Sequence, residues 1–415
     1  MDGKRLLVLI SLLSVGMMGC SAQNAQVNQV TDSFDKITCR SSAAVETEFI
    51  VQWEDDTFSV EKGESPEQFR NEFVPQYVDF IKHVQINQRV YSVTPIRAQE
   101  TQMDTAVPVM GWGNDSIQAS AAWNAGFRGQ NIKVAVVDAP VDVSHPQLKT
   151  RIAINTGETP NNGIDDDKNG YVDDYYGATF YSSPSTTTEV NDHGTHVSGI
   201  IAADPTQGQM SGVAPQAQII PATFLDNTGN GTLGDAILAM QYAADRGAQI
   251  INASWGGTGC DESLGNAFVA LSERGILLVV AAGNNGADID VTPFYPAVYN
   301  LPNQITVSAS DENDIVPAWS NVGFRNSLLT APGVDIVSTA FNDRYVTMDG
   351  TSMATPFVSG AAAVLWSAKP TATASQIKQA ILQGVDVIPG KNSKTYTRGR
   401  LNLQKSLAIL NSLVP

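Results

Sequence analysis

Residues 132–138 read Ile132-Lys133-Val134-Ala135-Val136-Val137-Asp138, a short apolar run closed by a carboxylate. A run of this length without alternation suits a strand buried on both faces, as in a parallel sheet covered by helices. Residues 218–222, 250–253, 277–281 and 305–309 repeat the pattern, and helical segments begin near His193, Leu233, Ser263, Ser352 and Ala374. The alternation predicts an α/β fold: a three-layer parallel β-sheet with helices on both faces. Ligands of such sheets bind beyond the carboxyl ends of the strands.

Four polar groups fall at those ends or at helix starts. Asp138 ends its strand, where it is suited either to capping or to orienting a histidine. His193 lies in Asn191-Asp192-His193-Gly194-Thr195-His196, at the head of a small-residue helix. Its i, i+3 partner His196 permits a metal pair, but no Cys or Glu completes a zinc pattern. Asn284 follows the run Val279-Val280-Ala281-Ala282-Gly283, as a turn residue or as a donor to a developing oxyanion. Ser352 sits in Gly350-Thr351-Ser352-Met353-Ala354-Thr355-Pro356, before an Ala-rich helix. Ser or Thr there is either an N-cap or a nucleophile whose developing charge the helix N-terminus favours.

Together these segments resemble the subtilisin-like serine proteases. The matching motifs are residues 134–138, His193-Gly194-Thr195-His196, Ser254-Trp255-Gly256-Gly257, residues 281–284 and residues 350–356, within a similarity running from about Gly111 to Leu407. The resemblance implies hydrolysis of polypeptides by an Asp138, His193, Ser352 triad with Asn284 as oxyanion donor, through an acyl-enzyme and without catalytic metal or organic cofactor. It also implies that Gly229, Asn230, Gly231 and Ser254, Trp255, Gly256 line an extended substrate, and that residues 48–96 are an inhibitory propeptide that the enzyme itself removes. One departure stands out. Asp138 is followed by Ala139-Pro140 where the family has Ser or Thr and then Gly, so a catalytically impaired, peptide-binding relative is the alternative. A serine-carboxyl peptidase shares Gly-Thr-Ser but has Glu in place of the histidine, and His193 argues against it.

The rest of the chain sets the context. Lys4 and Arg5 precede an apolar stretch from Leu6 to Met18 that is too short to span a bilayer and reads as a signal peptide over residues 1–19. Gly19-Cys20-Ser21 resembles a lipobox, predicting a lipid on Cys20 and a place in a bacterial cell envelope, with plain secretion as the alternative. Residues 20–47 are polar and aperiodic, predicting a tether. Residues 48–96 carry strand and helix patterns of a small α/β module, with Phe69, Phe73, Tyr77 and Phe80 at helical spacing. Residues 97–110 lose the pattern, predicting an exposed linker where processing occurs, and residues 111–415 form the catalytic domain. Cys39 and Cys260 then remain as a possible disulfide pair in an oxidising compartment. A net charge of −17 over 415 residues disfavours nucleic acid and anionic lipid as electrostatic partners. The membrane is therefore reached only through the lipid anchor, and the protein is expected to be a monomer.

Between Asp138 and His193 lies an acidic stretch from Asn161 to Asp174. Asp165, Asp167 and Asn169 offer oxygens at alternate positions, Gly170 permits a sharp turn, and the Tyr171 carbonyl follows, as at the start of an EF-hand-type Ca2+ loop. The closing Glu is replaced by Tyr176, leaving Asp173 or Asp174 to complete a structural Ca2+ site.

Overall fold

The computed structural model describes residues 44–93, 95–100, 111–181, 191–259, 261–388 and 394–414. The signal segment, Cys20, Cys39, Cys260 and residues 101–110 lie outside the described residues. Two compact units are present: residues 44–87 with 155–175 form one, and residues 88–154 with 176–414 the other.

In the first unit, strands Ala44–Trp53 and Phe58–Lys62 form an antiparallel hairpin with Glu48 opposite Lys62 and Gln52 opposite Phe58. The strand therefore starts inside the stretch read as a tether. Helical turns follow over residues 66–77, opened by Pro66 and capped by the Ser65 side chain. Phe69 stacks on Phe49 at 4.0 Å between ring centroids, in a core with Val51, Val74, Val78, Ile81 and Val84. Phe80 departs from the helical expectation. It is 40% exposed in the turn before strand Ile81–Ser92, because its carbonyl is taken by the Glu54 N–H and the strand begins at the next residue.

The second unit is built on a nine-stranded sheet. Its order is Asp386–Val387, Gly399–Arg400, Leu329–Pro332, Gln304–Ser310, Leu277–Ala281, Ile250–Ala253, Lys133–Asp138, Gln218–Thr223, Ala178–Thr179. All neighbours are parallel except the first pair. Every residue of the strands at 250–253, 277–281 and 304–310 is buried, which explains why 277–281 is apolar throughout and why no charged residue occurs in any of the three. The order turns at Lys133–Asp138, with strands 218–223 and 178–179 on one side and the others beyond 250–253, so Asp138 ends the strand at the topological switch.

Helix Thr351–Ala368 packs on the strands at 250–253, 277–281, 304–310 and 329–332 and against helix His193–Ala202. Residues 351–366 are all buried, so the helix is free of charge on every side rather than carrying one apolar stripe. Gly360 marks the tightest place: a Cβ there would stand 2.6 Å from Val213 Cβ. Antiparallel strands Ile336–Ala340 and Arg344–Asp349 lead into this helix, and Arg97–Glu100 pairs with the second of them, Arg97 opposite Asp349 and Glu100 opposite Val346. The start of the expected linker is thus a paired strand, a placement set by a partner almost 250 residues away.

Gly360→Ala should overpack this helix and cost about 1–3 kcal/mol. Thermal melts in a Ser352→Ala background, which prevents self-digestion, should show a midpoint lowered by several degrees; an unchanged midpoint would show that Val213 yields freely.

Candidate active site

Asp138 and His193 meet because a strand end and a helix start come unusually close. A Cβ on Gly194 would lie 2.1 Å from the Ala139 carbonyl oxygen, so only glycine lets the backbone following His193 sit against the end of strand 133–138. Asn191 Oδ1 accepts the His193 N–H at 3.0 Å, Asp192 pairs with Arg344, and Thr195 Oγ1 accepts the Asp142 N–H at 2.9 Å. The result is a 2.6 Å hydrogen bond between His193 Nδ1 and Asp138 Oδ1, with both side chains at most 2% exposed. A buried carboxylate on Nδ1 fixes the imidazole orientation and leaves Nε2 as the ring nitrogen for proton exchange. Nε2 is buried and has no hydrogen-bond partner in this state.

Ala139-Pro140 does not pull Asp138 out of its strand. The Asp138 carbonyl accepts from the Phe224 and Leu225 N–H groups, and the Ala139 N–H donates to Asp138 Oδ1 at 2.6 Å. The departure leaves its mark on the other oxygen: Asp138 Oδ2 is buried without a partner, and Ala139 has no hydroxyl to offer.

Ser352 occupies the first turn of helix Thr351–Ala368 and is fully buried. Its N–H belongs to the helix-start group that has no intrahelical acceptor. Pro356, four residues on, has no N–H for the Ser352 carbonyl, and Ser254 Oγ donates to that carbonyl instead at 3.0 Å. Ser352 Oγ is turned toward the carbonyl oxygens of Val93 and Ser254, each at 3.1 Å.

Asn284 is oriented by a residue that the motif reading passed over. Thr351 gives both its N–H and its Oγ1–H to Asn284 Oδ1 at 2.9 Å, and Thr351 Oγ1 in turn accepts the Gly283 N–H at 3.1 Å. Gly283 needs its positive φ of 101° to make this turn. With Oδ1 occupied, the carboxamide presents Nδ2 as its donor, beside Gly350, whose added Cβ would be 3.2 Å away. Two donors of the kind that stabilise an oxyanion, an amide side chain and a helix-start N–H, thus flank the serine.

The glycine segments are edges. Residues 89–92 run antiparallel to Asn230–Thr232, with Val90 opposite Gly231 and Tyr91 opposite Asn230, and antiparallel to Trp255–Gly256, with Ser92 opposite Trp255 and Tyr91 opposite Gly256. The Ser92 N–H reaches the Gly229 carbonyl at 2.9 Å. An extended segment held by strands on both sides is the geometry of β-strand recognition. Beside it lies a cavity of about 420 Å³ lined by Ser92, Val93, Pro95, Ile96, Gly256, Asn284, Asn285 and Phe294.

His196 is no metal partner for His193. It is fully buried, with Nε2 at 3.1 Å from the Ile336 carbonyl and 3.0 Å from that of Val346, so the neutral ring donates to the hairpin leading into the serine helix. Burial is the main cause holding its pKa down to about 3.

The acidic loop belongs to the other compact unit. Ligand oxygens of Glu158, Asp165 and Asp167 lie within 4.8 Å of one another. Glu158 was not legible as a ligand because it precedes the motif. It is only 5% exposed, and its Oε2 has no partner. Asn169 packs into the cluster, its N–H donating to Asp165 and Asp167 and its Nδ2 to Asp174. Tyr171 donates its N–H to Asn169 Oδ1. Asp173 points elsewhere, accepting the Asn162 and Gly163 N–H groups, while buried Asp174 shares Asn155 Nδ2 with Asp167. Crowded carboxylates with an orphaned buried oxygen fit a hard divalent cation such as Ca2+.

Comparison with known proteins agrees with this architecture. The sequence model of the Subtilase family matches residues 129–403. "Thermophilic serine proteinase" from Bacillus sp. (strain AK1) is 38% identical over 307 residues, 73% of this chain and 68% of that protein. "Thermitase" from Thermoactinomyces vulgaris is 35% identical over 71% of this chain and 95% of its own length, and "Subtilisin DY" from Bacillus licheniformis 33% identical over 71% and 97%.

The buried His196 carries a pH signature. The unfolded chain takes up a proton near 6.5 and the folded one only near 3, so stability is full above 6.5 and falls as pH drops through that window, by roughly 1.4 kcal/mol per pH unit. His196→Gln, which keeps a donor for the two carbonyls, should flatten the fall of the melting temperature between pH 6.5 and 4 in the Ser352→Ala background. Equal slopes in both proteins would mean that His196 is not held neutral.

Proposed function

The chain belongs to the subtilase family and is a serine endopeptidase acting on polypeptides, and on that premise we propose the roles of its residues and the course of its maturation. Ser352 Oγ attacks the scissile carbonyl, His193 Nε2 takes its proton and returns it to the leaving amine, and Asp138 holds the imidazole and stabilises its charged form. Asn284 Nδ2 and the Ser352 N–H receive the oxyanion. The observation that carries this reading is the 2.6 Å bond from His193 to Asp138, with the second ring nitrogen left unpartnered for the serine. Ser352 Oγ must leave the Val93 and Ser254 carbonyls to use that nitrogen. No step needs a catalytic metal or organic cofactor.

Substrate strands lie between Gly229-Asn230-Gly231 and Ser254-Trp255-Gly256, a role supported by the pairing of residues 89–92 there. Residues 48–96 act as an inhibitory propeptide that the enzyme removes from itself. The protein works outside the cytoplasm as a monomer, held by a lipid on Cys20, and a Cys39–Cys260 bridge would keep the cut fragments joined. No helix among the described residues is long and apolar enough to cross a membrane.

A fluorophosphonate should label Ser352 in the wild type and nothing in Ser352→Ala. Mass spectrometry of the two proteins, with and without reductant, should show a processed, acylated wild type with bridged fragments beside an unprocessed variant. A wild type that neither labels nor matures would assign the peptide-binding alternative instead.

Glu158, Asp165, Asp167, Asn169, the Tyr171 carbonyl and Asp174 would hold Ca2+, which would relieve the mutual repulsion of their carboxylates. Asp173, expected among the ligands, is better suited to bracing the turn at residues 162–163. Excess chelator should lower the melting temperature of Ser352→Ala by several degrees, Ca2+ should restore it, and Glu158→Gln should weaken the response. A midpoint indifferent to chelator would remove the metal.

A further inference from the structure

Ser254 holds Ser352 from two sides: its Oγ donates to the Ser352 carbonyl at 3.0 Å, and its own carbonyl stands 3.1 Å from Ser352 Oγ. A hydroxyl has a single proton and is free to turn it elsewhere. What aims it here is Asn252, the one polar residue of strand Ile250–Ala253, whose Nδ2 donates to Ser254 Oγ at 2.9 Å. With a donor already directed at that oxygen, the Ser254 proton is left for the carbonyl that Pro356 cannot serve.

Asn252 is itself aimed. Its Oδ1 accepts from Ser359 Oγ at 2.8 Å, which turns the amide nitrogen of the carboxamide toward Ser254. Ser359 lies two turns beyond Ser352 on the same helix and on the same face of it. Its bond is unlike those of Ser198, Thr355 and Ser406, which each donate to the carbonyl four residues back; Ser359 reaches across to the sheet. The donors therefore run in one direction, from Ser359 to Asn252 to Ser254 to the Ser352 carbonyl, leaving the helix and returning to it. In such a run each bond polarises the next.

Asn252, Ser254 and Ser359 are all fully buried. Asn252 stands opposite Val136 on one neighbouring strand and Val279 on the other. The first of those strands ends in Asp138, and the second leads to Asn284. An amide enclosed by apolar strands is costly unless it is bonded, and an apolar side chain would serve packing alone. Its place there refers the position of the serine to the strand between those that carry the other two groups.

We propose that Asn252 and Ser359 are positioning residues for the reaction: acting through the Ser254 hydroxyl, they fix the Ser352 carbonyl and with it the helical turn that presents the Ser352 N–H and Oγ. This rests on the reading of Ser352 as nucleophile. Both side chains are enclosed, so their loss acts on the rate of the chemistry rather than on the binding of substrate.

Hydrolysis of a peptide anilide by the mature enzyme tests this, with active sites counted by end-point labelling with a fluorophosphonate. Per labelled site, Asn252→Ala and Asn252→Val should each lower kcat by roughly tenfold or more and leave KM within about twofold. Ser359→Ala should move kcat in the same direction, and Ser359→Thr, which keeps the hydroxyl, should recover most of the loss. Ser254→Ala should also slow the enzyme, and adding Asn252→Ala to it should cost little more, because the two act as one unit. Losses that multiply in the double variant, an unchanged kcat, or a change confined to KM overturns the inference while leaving an enzyme that still labels. Should neither Asn252 variant fold, the two Ser359 variants decide: equal kcat in Ser359→Ala and Ser359→Thr is the overturning result. A wild type that fails to label overturns this inference and the reading beneath it together.

Discussion

The site depends on the absence of one side chain. Gly194 lets the start of helix His193–Ala202 touch the end of strand Lys133–Asp138, and with any other residue the Ala139 carbonyl would push the two apart. That contact permits a carboxylate and an imidazole to share a short bond away from water. Burying both is costly unless the geometry is near ideal and neighbouring groups hold it. Here the Asn191 carboxamide, the Asp192–Arg344 pair and the Thr195 hydroxyl fix the helix, while Phe224 and Leu225 fix the strand.

The serine helix meets the same demand by different means. Pro356 removes one intrahelical hydrogen bond, and Ser254, which stands at the edge of the cleft, supplies the missing donor to the Ser352 carbonyl. Thr351 then ties the helix start to Asn284. A proline and two hydroxyls thus couple Ser352, Asn284 and the cleft wall, so each is positioned by the others rather than by its own loop.

What was legible in the sequence follows from burial. Strand 277–281 is enclosed on both faces, and its wholly apolar residue choice records it. Arg344–Asp349 alternates between partly and fully buried positions and carries no comparable run, and the pairing of Arg97–Glu100 depends on that strand alone. Asp138, His193 and Ser352 are visible in the sequence because each stands beside glycine or at an element end, a local mark. The role of Thr351 carries no such mark, because its task is a contact with Asn284 from a distant part of the chain. Glu158 escaped for a related reason: the loop motif counts positions from Asp165, and a ligand arriving from outside the loop has no place in that count.

The pairing of residues 89–92 with both edges of the cleft also has a consequence in mass action. While the chain is intact, the segment in the cleft is tethered to its own enzyme, and its effective concentration far exceeds that of any outside polypeptide. A cut downstream of this segment would change no contact upstream of the cut, yet it would turn an intramolecular occupant into a separable one that is lost by dilution. Activity would then appear not at the instant of the cut but when the surroundings are dilute enough to carry the fragment away. A bridge between Cys39 and Cys260 would abolish that dependence by keeping the fragment local, leaving its destruction as the way to a lasting open cleft.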